Sequence, residues 1–360
     1  MKHPRKHSIP RVSTALIVAI SIVLLFSGCA NKSETKDTAS KPSNIKQQSY
    51  FIFDTIVTVK IYDAKASDQD FEQIKGLMET IDKQMSRTKE GSELYNLNQH
   101  AGKGPFKVSE EVFQVIETAL DYAEKTNGRF EPTIGPLVDL WNIGHENAKV
   151  PKQADIDEKL KLVDYKKVKL DKENLTVELE QPGMVVDLGS IGKGYAADVI
   201  AKYIRDQGYT SAIIDLGGNI FAVGEKPGGL DWTIGVQDPD ETRGNQIGQA
   251  KVKDRTIVTS GVYERYFVEN GKHYHHILDP KTGYPVENKL NSVTIVTEKS
   301  TDADALSTSL FSLGLEEGLR FIETKPEAEA IFITTDHKVY TSSGIQKYFD
   351  LTNEHYQFAE

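Results

Sequence analysis

Four stretches of the 360-residue chain group side chains that can hold anions, cations or protons. Residues 186–195 (VDLGSIGKGY) read as strand, glycine turn and helix start, continuing into the apolar run AADVIAKYI. Free N–H groups and the helix dipole converge at such a junction and favour an anion. The same glycines equally suit a close contact between helix and strand. The spacing is neither a Walker loop, since Gly194 follows Lys193, nor a dinucleotide fingerprint, since the order is Gly-x-x-Gly-x-Gly. In residues 300–308 (STDADALST), Asp304 and Thr308 stand one turn apart on one helix face. Two hard oxygen ligands there suit Mg²⁺; acids in a first turn are also favoured by the dipole alone. Residues 273–285 (HYHHILDPKTGYP) carry three histidines into a Pro/Gly turn. His273 and His275 share a strand face, too few for a zinc set, whereas a single imidazole ahead of a turn suits proton transfer. Residues 130–141 (FEPTIGPLVDLW) are a binding loop with an aromatic wall or a packed turn.

The elements that must carry these stretches are mixed. Tyr50 to Tyr62 alternates and is rich in β-branched and aromatic residues, which predicts a strand or hairpin. Helical spacing runs through Phe71, Ile74, Leu77, Met78 and Ile81, and again through Val112, Val115, Ile116 and Leu120 up to Asn127-Gly128. Residues 130–144 read as a loop. A charged patch at 145–160 leads to a helix and short strands near 167–187. Strands alternate with glycine turns from Ile213 to Gln237. A strand-rich region follows to Val296, then a helix from about Asp302, capped by Ser300 or Thr301, and a second near 315–324. Without a strict βαβ rhythm this is an α+β fold with mixed or antiparallel sheets flanked by helices.

Ahead of that body, Lys2, Arg5, Lys6 and Arg11 precede an apolar run from Thr14 to Phe26, too short for a comfortable bilayer span. Ser27-Gly28-Cys29 closes it. The segment resembles a bacterial lipoprotein signal, cut after residue 28 and lipidated on Cys29. It implies a protein anchored by lipid at the extracytoplasmic face of the cell membrane. Residues 29–49 are polar and read as a flexible tether, so the catalytic body is expected over 50–360. Cys29 is the sole cysteine, which excludes an internal disulfide and a multi-thiolate zinc site. The net charge of -10 offers no basic footprint for nucleic acid, and the four leader cations make the remainder more acidic still.

Taken in order, Ser92-Glu93-Leu94 with Asn98, FEPTIGPLVDLW, VDLGSIGKGYAAD, IDLGGN, HILDPKTGYPV and DADALSTSLFSLG resemble the bacterial FAD:protein FMN transferases, the ApbE family, over nearly all of residues 50–346. The resemblance implies an enzyme that splits FAD, releases AMP and attaches FMN by a phosphoester to a threonine of an extracytoplasmic acceptor protein. It implies Mg²⁺ bound by the side chains of Asp304 and Thr308 and the backbone carbonyl of Ser190. Asp187 and Lys193 would contact FAD. Phe53 and Phe130-Glu131-Pro132 would help form the cleft, and His276 to Leu278 would line it. His276 and Asp187 would be the catalytic residues, with His276 the base. Two positions depart from the family pattern: Glu131 replaces its usual Asp, and Thr88 stands where an aromatic often packs on the flavin.

Overall fold

The computed structural model describes residues 45–359; the leader, Cys29 and the tether up to residue 44 lie outside them. A nine-stranded sheet forms the centre. Its order in space is Lys46–Ile52, Thr55–Ile61, Ser211–Leu216, Asn219–Gly224, Arg255–Gly261, Leu290–Thr297, Glu329–Thr334, Lys338–Thr341 and Gln357–Phe358. Neighbours pair antiparallel except the last two, which are parallel. The α+β architecture expected from the sequence is the one found.

Side chains alternate between the two faces of this sheet, as a period of two requires. Val258, Val293, Ile295, Ala330 and Phe332 point to one side, into a core shared with helices Asp68–Met85, Glu110–Lys125, Gly192–Asp206 and Ser300–Leu313. Ile257, Val296, Ile331 and Ile333 point to the other, against a small sheet of Trp232–Gln237, Gln246–Val252 and Phe349–Leu351. A third cluster joins helices Gly135–Trp141 and Gln153–Leu160 to the hairpin Tyr266–Glu269/Lys272–His275 through Trp141, Ile156, Phe267 and Tyr274. Trp141 donates its indole N–H to the Gly283 carbonyl at 2.7 Å, fastening the DPKTGYP turn to the FEPTIGPLVDLW stretch.

Several boundaries differ from the sequence reading. The first strand begins at Lys46, inside the polar stretch read as tether, because backbone pairing with Thr55–Ile61 needs no apolar side chains. Phe53 and Asp54 turn this hairpin with φ of 56° and 55°, a costly conformation for a bulky Phe. The supposed loop at 130–144 holds the helix Gly135–Trp141: Pro136 fits its first turn and Asn142 closes it at φ 51°. The helix expected near 167–187 instead lies within the charged patch, at Gln153–Leu160, buried through Ile156.

Candidate active site

Asp304 sits at the centre of the constellation. Helix Ser300–Leu313 does not cap itself with Ser300 or Thr301, as the sequence suggested. The Asp198 carboxylate caps it from the neighbouring helix, accepting the N–H groups of Ser300 at 2.8 Å and Thr301 at 2.9 Å and the Thr301 hydroxyl at 2.6 Å. That fixes the helix start, and Asp304 is then carried inward. Its Oδ2 accepts the Gly194 N–H at 2.6 Å, and its Oδ1 accepts from Asn219 Nδ2 at 3.1 Å. Asn219 in turn accepts from the Ser300 hydroxyl at 2.8 Å. Only glycine allows this approach at 194, since a Cβ there would lie 2.1 Å from the Ser300 carbonyl oxygen. The close contact expected between helix and strand is instead one between two helices, and the Gly194 N–H meets a carboxylate of the protein itself. Asp302, by contrast, accepts the Tyr122 hydroxyl at 3.0 Å and serves packing.

Burial raises the pKa of Asp304, while Lys193 and the two hydrogen bonds oppose that rise. The half-buried Thr308 hydroxyl stands one turn on from this carboxylate, and the Ser190 carbonyl expected to join them lies in the turn that leads to Gly194, whose N–H bonds Asp304. A buried carboxylate held by neutral donors and without a bonded cation, in an all-oxygen set, fits Mg²⁺. Thr308 Oγ1 lies 3.4 Å from the Ser260 hydroxyl, a contact that leaves it lone-pair capacity.

The three histidines part company. His273 is exposed and stacked on Tyr266. His275 is buried against Phe311, with Nε2 donating to the Val286 carbonyl at 3.0 Å and Nδ1 accepting the Ile277 N–H at 3.3 Å. His276 carries the opposite tautomer. Its Nδ1 lies 3.2 Å from the Arg265 carbonyl, which can only accept, so Nδ1 bears the hydrogen and Nε2 keeps its lone pair. Burial, then the Arg265 guanidinium, push its pKa down to about 3, with His275 and Lys193 acting in the same sense. Lys193 thus acts electrostatically on both Asp304 and His276. Among the described residues neither Lys193 nor Arg265 has a carboxylate partner within 4.0 Å, which leaves two cations for an anionic ligand. Arg265 gave no sequence signal.

Asp187 is held from several sides. Its N–H donates to the Pro132 carbonyl at 2.8 Å, and its Oδ1 accepts the Gly189 N–H at 2.7 Å. Its Oδ2 meets Arg87 Nε at 2.6 Å. Asn98 works one residue upstream. Its side chain donates to the Val186 carbonyl at 3.0 Å and accepts the Val186 N–H at 2.8 Å, in place of a neighbouring strand. Ser92 caps the Asn98 helix, and its hydroxyl also holds the Ser86 carbonyl. Replacing Asn98 by alanine should destabilise the protein by about 2 kcal/mol or more, because two buried backbone groups lose their partners. A thermal melt against wild type, with hydrogen exchange at Val186, checks it.

The structure places the FEP stretch mostly inside the fold. Phe130 is 1% exposed and packs on Tyr122, so its ring belongs to the core. Pro132 is buried too, and contributes its carbonyl to Asp187. Glu131 turns inward, its carboxylate accepting the N–H and hydroxyl of Thr133 and the Tyr165 N–H. These three residues shape the loop under Asp187 from within. Thr88 is exposed, Phe53 is half-buried at its hairpin turn, and Leu278 is buried in the Trp141 cluster.

A buried carboxylate with a helix hydroxyl one turn on, two cations without a carboxylate partner among the described residues, and a neutral imidazole are thus the groups this part of the fold supplies. Comparison with known proteins adds the family. The model of the ApbE family matches residues 53–332, and the chain belongs to that family. It is 41% identical over 266 residues to a Klebsiella pneumoniae (strain 342) protein named FAD:protein FMN transferase, covering 74% of this chain and 82% of that one. A Treponema pallidum (strain Nichols) protein of the same name is 37% identical over 310 residues, 82% and 86% of the two chains. Among solved structures, the flavin transferase ApbE of Vibrio cholerae superposes with a TM-score of 0.78 at 29% identity, over 85% of this chain and 100% of that one. The ApbE protein of Thermotoga maritima gives 0.77 at 34% identity, over 84% and 99%.

Proposed function

We propose that this chain is an FAD:protein FMN transferase that moves FMN from FAD to a threonine of an extracytoplasmic acceptor protein. The observation that carries this reading is the meeting of distant motifs: Asp304 bonded to Gly194, with Lys193 acting electrostatically on both Asp304 and His276. In the reaction, the acceptor threonine oxygen attacks the phosphorus on the FMN side of the pyrophosphate. The bond from that phosphorus to the bridging oxygen breaks, and AMP departs with the oxygen. His276 Nε2 takes the hydroxyl proton. Lys193 and Arg265 offset the pyrophosphate charge, which matters in a chain of net charge -10. Asp304, Thr308 and the Ser190 carbonyl would hold Mg²⁺, which when bound supplies charge neutralisation at the phosphate oxygens. Asp187, fixed by its neighbours, would orient FAD.

Incubating the protein with FAD and Mg²⁺, with and without an acceptor, tests the reading. Transfer predicts AMP release matched by covalent FMN on the acceptor, found by mass spectrometry. Equally fast AMP release without acceptor would mean that water is the nucleophile and the activity hydrolytic.

The leader supports an address as well. The protein would be tethered through lipid on Cys29 at the outer face of the cell membrane, where its acceptors must also lie. Cys29→Ser is expected to move it from the membrane fraction to the soluble fraction; unchanged fractionation would refute the anchor.

A further inference from the structure

We propose that Arg87 is a positioning residue for flavin binding, locking the Asp187 carboxylate in place and tying the loop after helix Asp68–Met85 to helix Gly135–Trp141. This rests on the FAD reading above. Arg87 lies two residues beyond helix Asp68–Met85, in a loop pinned by the Ser92 hydroxyl on the Ser86 carbonyl. Its guanidinium makes two carboxylate contacts at once: Nε to Asp187 Oδ2 at 2.6 Å and Nη1 to Asp139 Oδ1 at 2.5 Å. The Arg87 and Asp187 side chains are only 18% and 15% exposed, whereas Asp139 is 56% exposed. The strong contact is therefore the inner one, since exposed pairs contribute little.

An arginine is the side chain suited to this task. Its planar fork meets two acceptors in fixed directions, where a lysine would act as a point charge. The carboxylate it holds has no free rotation left, because its other oxygen accepts the Gly189 N–H. Without Arg87, Asp187 becomes an unpaired anion held only through its contact with the Gly189 N–H. The orientation of that carboxylate toward FAD is lost. The damage falls on ligand binding, since Arg87 touches neither His276 nor Asp304 in the hydrogen-bond and ion-pair network.

The experiment is a double-mutant cycle on the full chain, with FAD affinity read by flavin fluorescence and turnover by AMP release. Arg87→Ala should raise the Kd and KM for FAD about tenfold or more, with kcat within about threefold. Arg87→Lys should recover part of the affinity, keeping charge but losing the fork. In an Asp187→Asn background, Arg87→Ala should change Kd less than about twofold, because the carboxylate it positions is gone. An equal loss with or without Asp187 overturns the proposal, as does a joint fall of kcat and melting temperature. Wild type that binds FAD while Arg87→Ala binds it as tightly overturns this inference alone. Wild type that binds no FAD overturns the proposed function with it.

Discussion

Asparagine in place of Asp304 is expected to slow AMP release from FAD on the order of a thousandfold, because several kcal/mol of charge stabilisation at the phosphate depend on the ion it would hold. The substitution keeps the volume and removes the charge. Both carboxylate oxygens are already engaged, one by Gly194 and one by Asn219, and both partners are donors. An amide offers only one acceptor, so one of these donors would face an NH₂ group. The residual rate should also stop responding to added Mg²⁺ or to a chelator, and a Mg²⁺ titration of both proteins checks this. An Asp304→Asn protein with wild-type Mg²⁺ dependence would remove Asp304 from the metal set.

The same residue shows how position separates activity from stability. Burying the charged carboxylate is unfavourable, which is why its pKa is raised. Asparagine relieves that cost while introducing one donor facing another. The two changes oppose, so the melting temperature should move far less than the rate. Such a mismatch between a small stability change and a large activity change is expected where a fold holds an unfavourable charge for function. Gly194 extends the argument. Its missing Cβ is what allows helix Gly192–Asp206 to bring an N–H to Asp304, so the glycine there matters for approach more than for turn geometry.

Much of this arrangement was legible in the sequence, and the rest was not for identifiable reasons. Helices with apolar residues on one stripe were readable through Phe71, Ile74 and Met78 or Val112, Val115 and Ile116, because that period is local. The Asp304–Thr308 spacing was readable for the same reason. Arg87 was not: it belongs to no periodic pattern, and its partner Asp139 is 52 residues away. Asp198 was visible as the end of a motif, but only the crossing of two helices turns it into the cap of the second. The FEP stretch was open between a loop with an aromatic wall and a packed turn, and the structure packs Phe130 into the core and starts a helix at Gly135-Pro136. Composition cannot say on which side of a loop a ring will fall. The histidine tract was open to several readings, and tertiary partners separated them: one imidazole stacks on the surface, one is bonded into the core, and one keeps a free nitrogen.

That third imidazole carries the other large expectation. Replacing His276 by alanine should lower the transfer rate by about 10²–10⁴-fold, the range for loss of a positioned base, with FAD affinity much less affected. The pH dependence sharpens the test. The His276 pKa is pushed down to about 3 from an ordinary 6.5, so in the free enzyme the ring is already neutral at pH 5. The profile of kcat/KM reports groups of the free enzyme and substrate, so it should lack an acid-side break near 6.5 from this residue. A break there that disappears in His276→Ala would contradict the assignment of a neutral base. Stability carries the same signature with a definite sign. Unfolded chains bind a proton at His275 and His276 below about 6.5, while the native rings resist it down to about 4 and about 3. The unfolded state then binds more protons between those limits, so stability is fully present above pH 6.5 and declines as the pH falls through that window. Melting His276→Ala alongside wild type from pH 7 to pH 4 reads this directly. The variant should lose less stability on acidification, because one of the two rings that must stay neutral in the fold is gone.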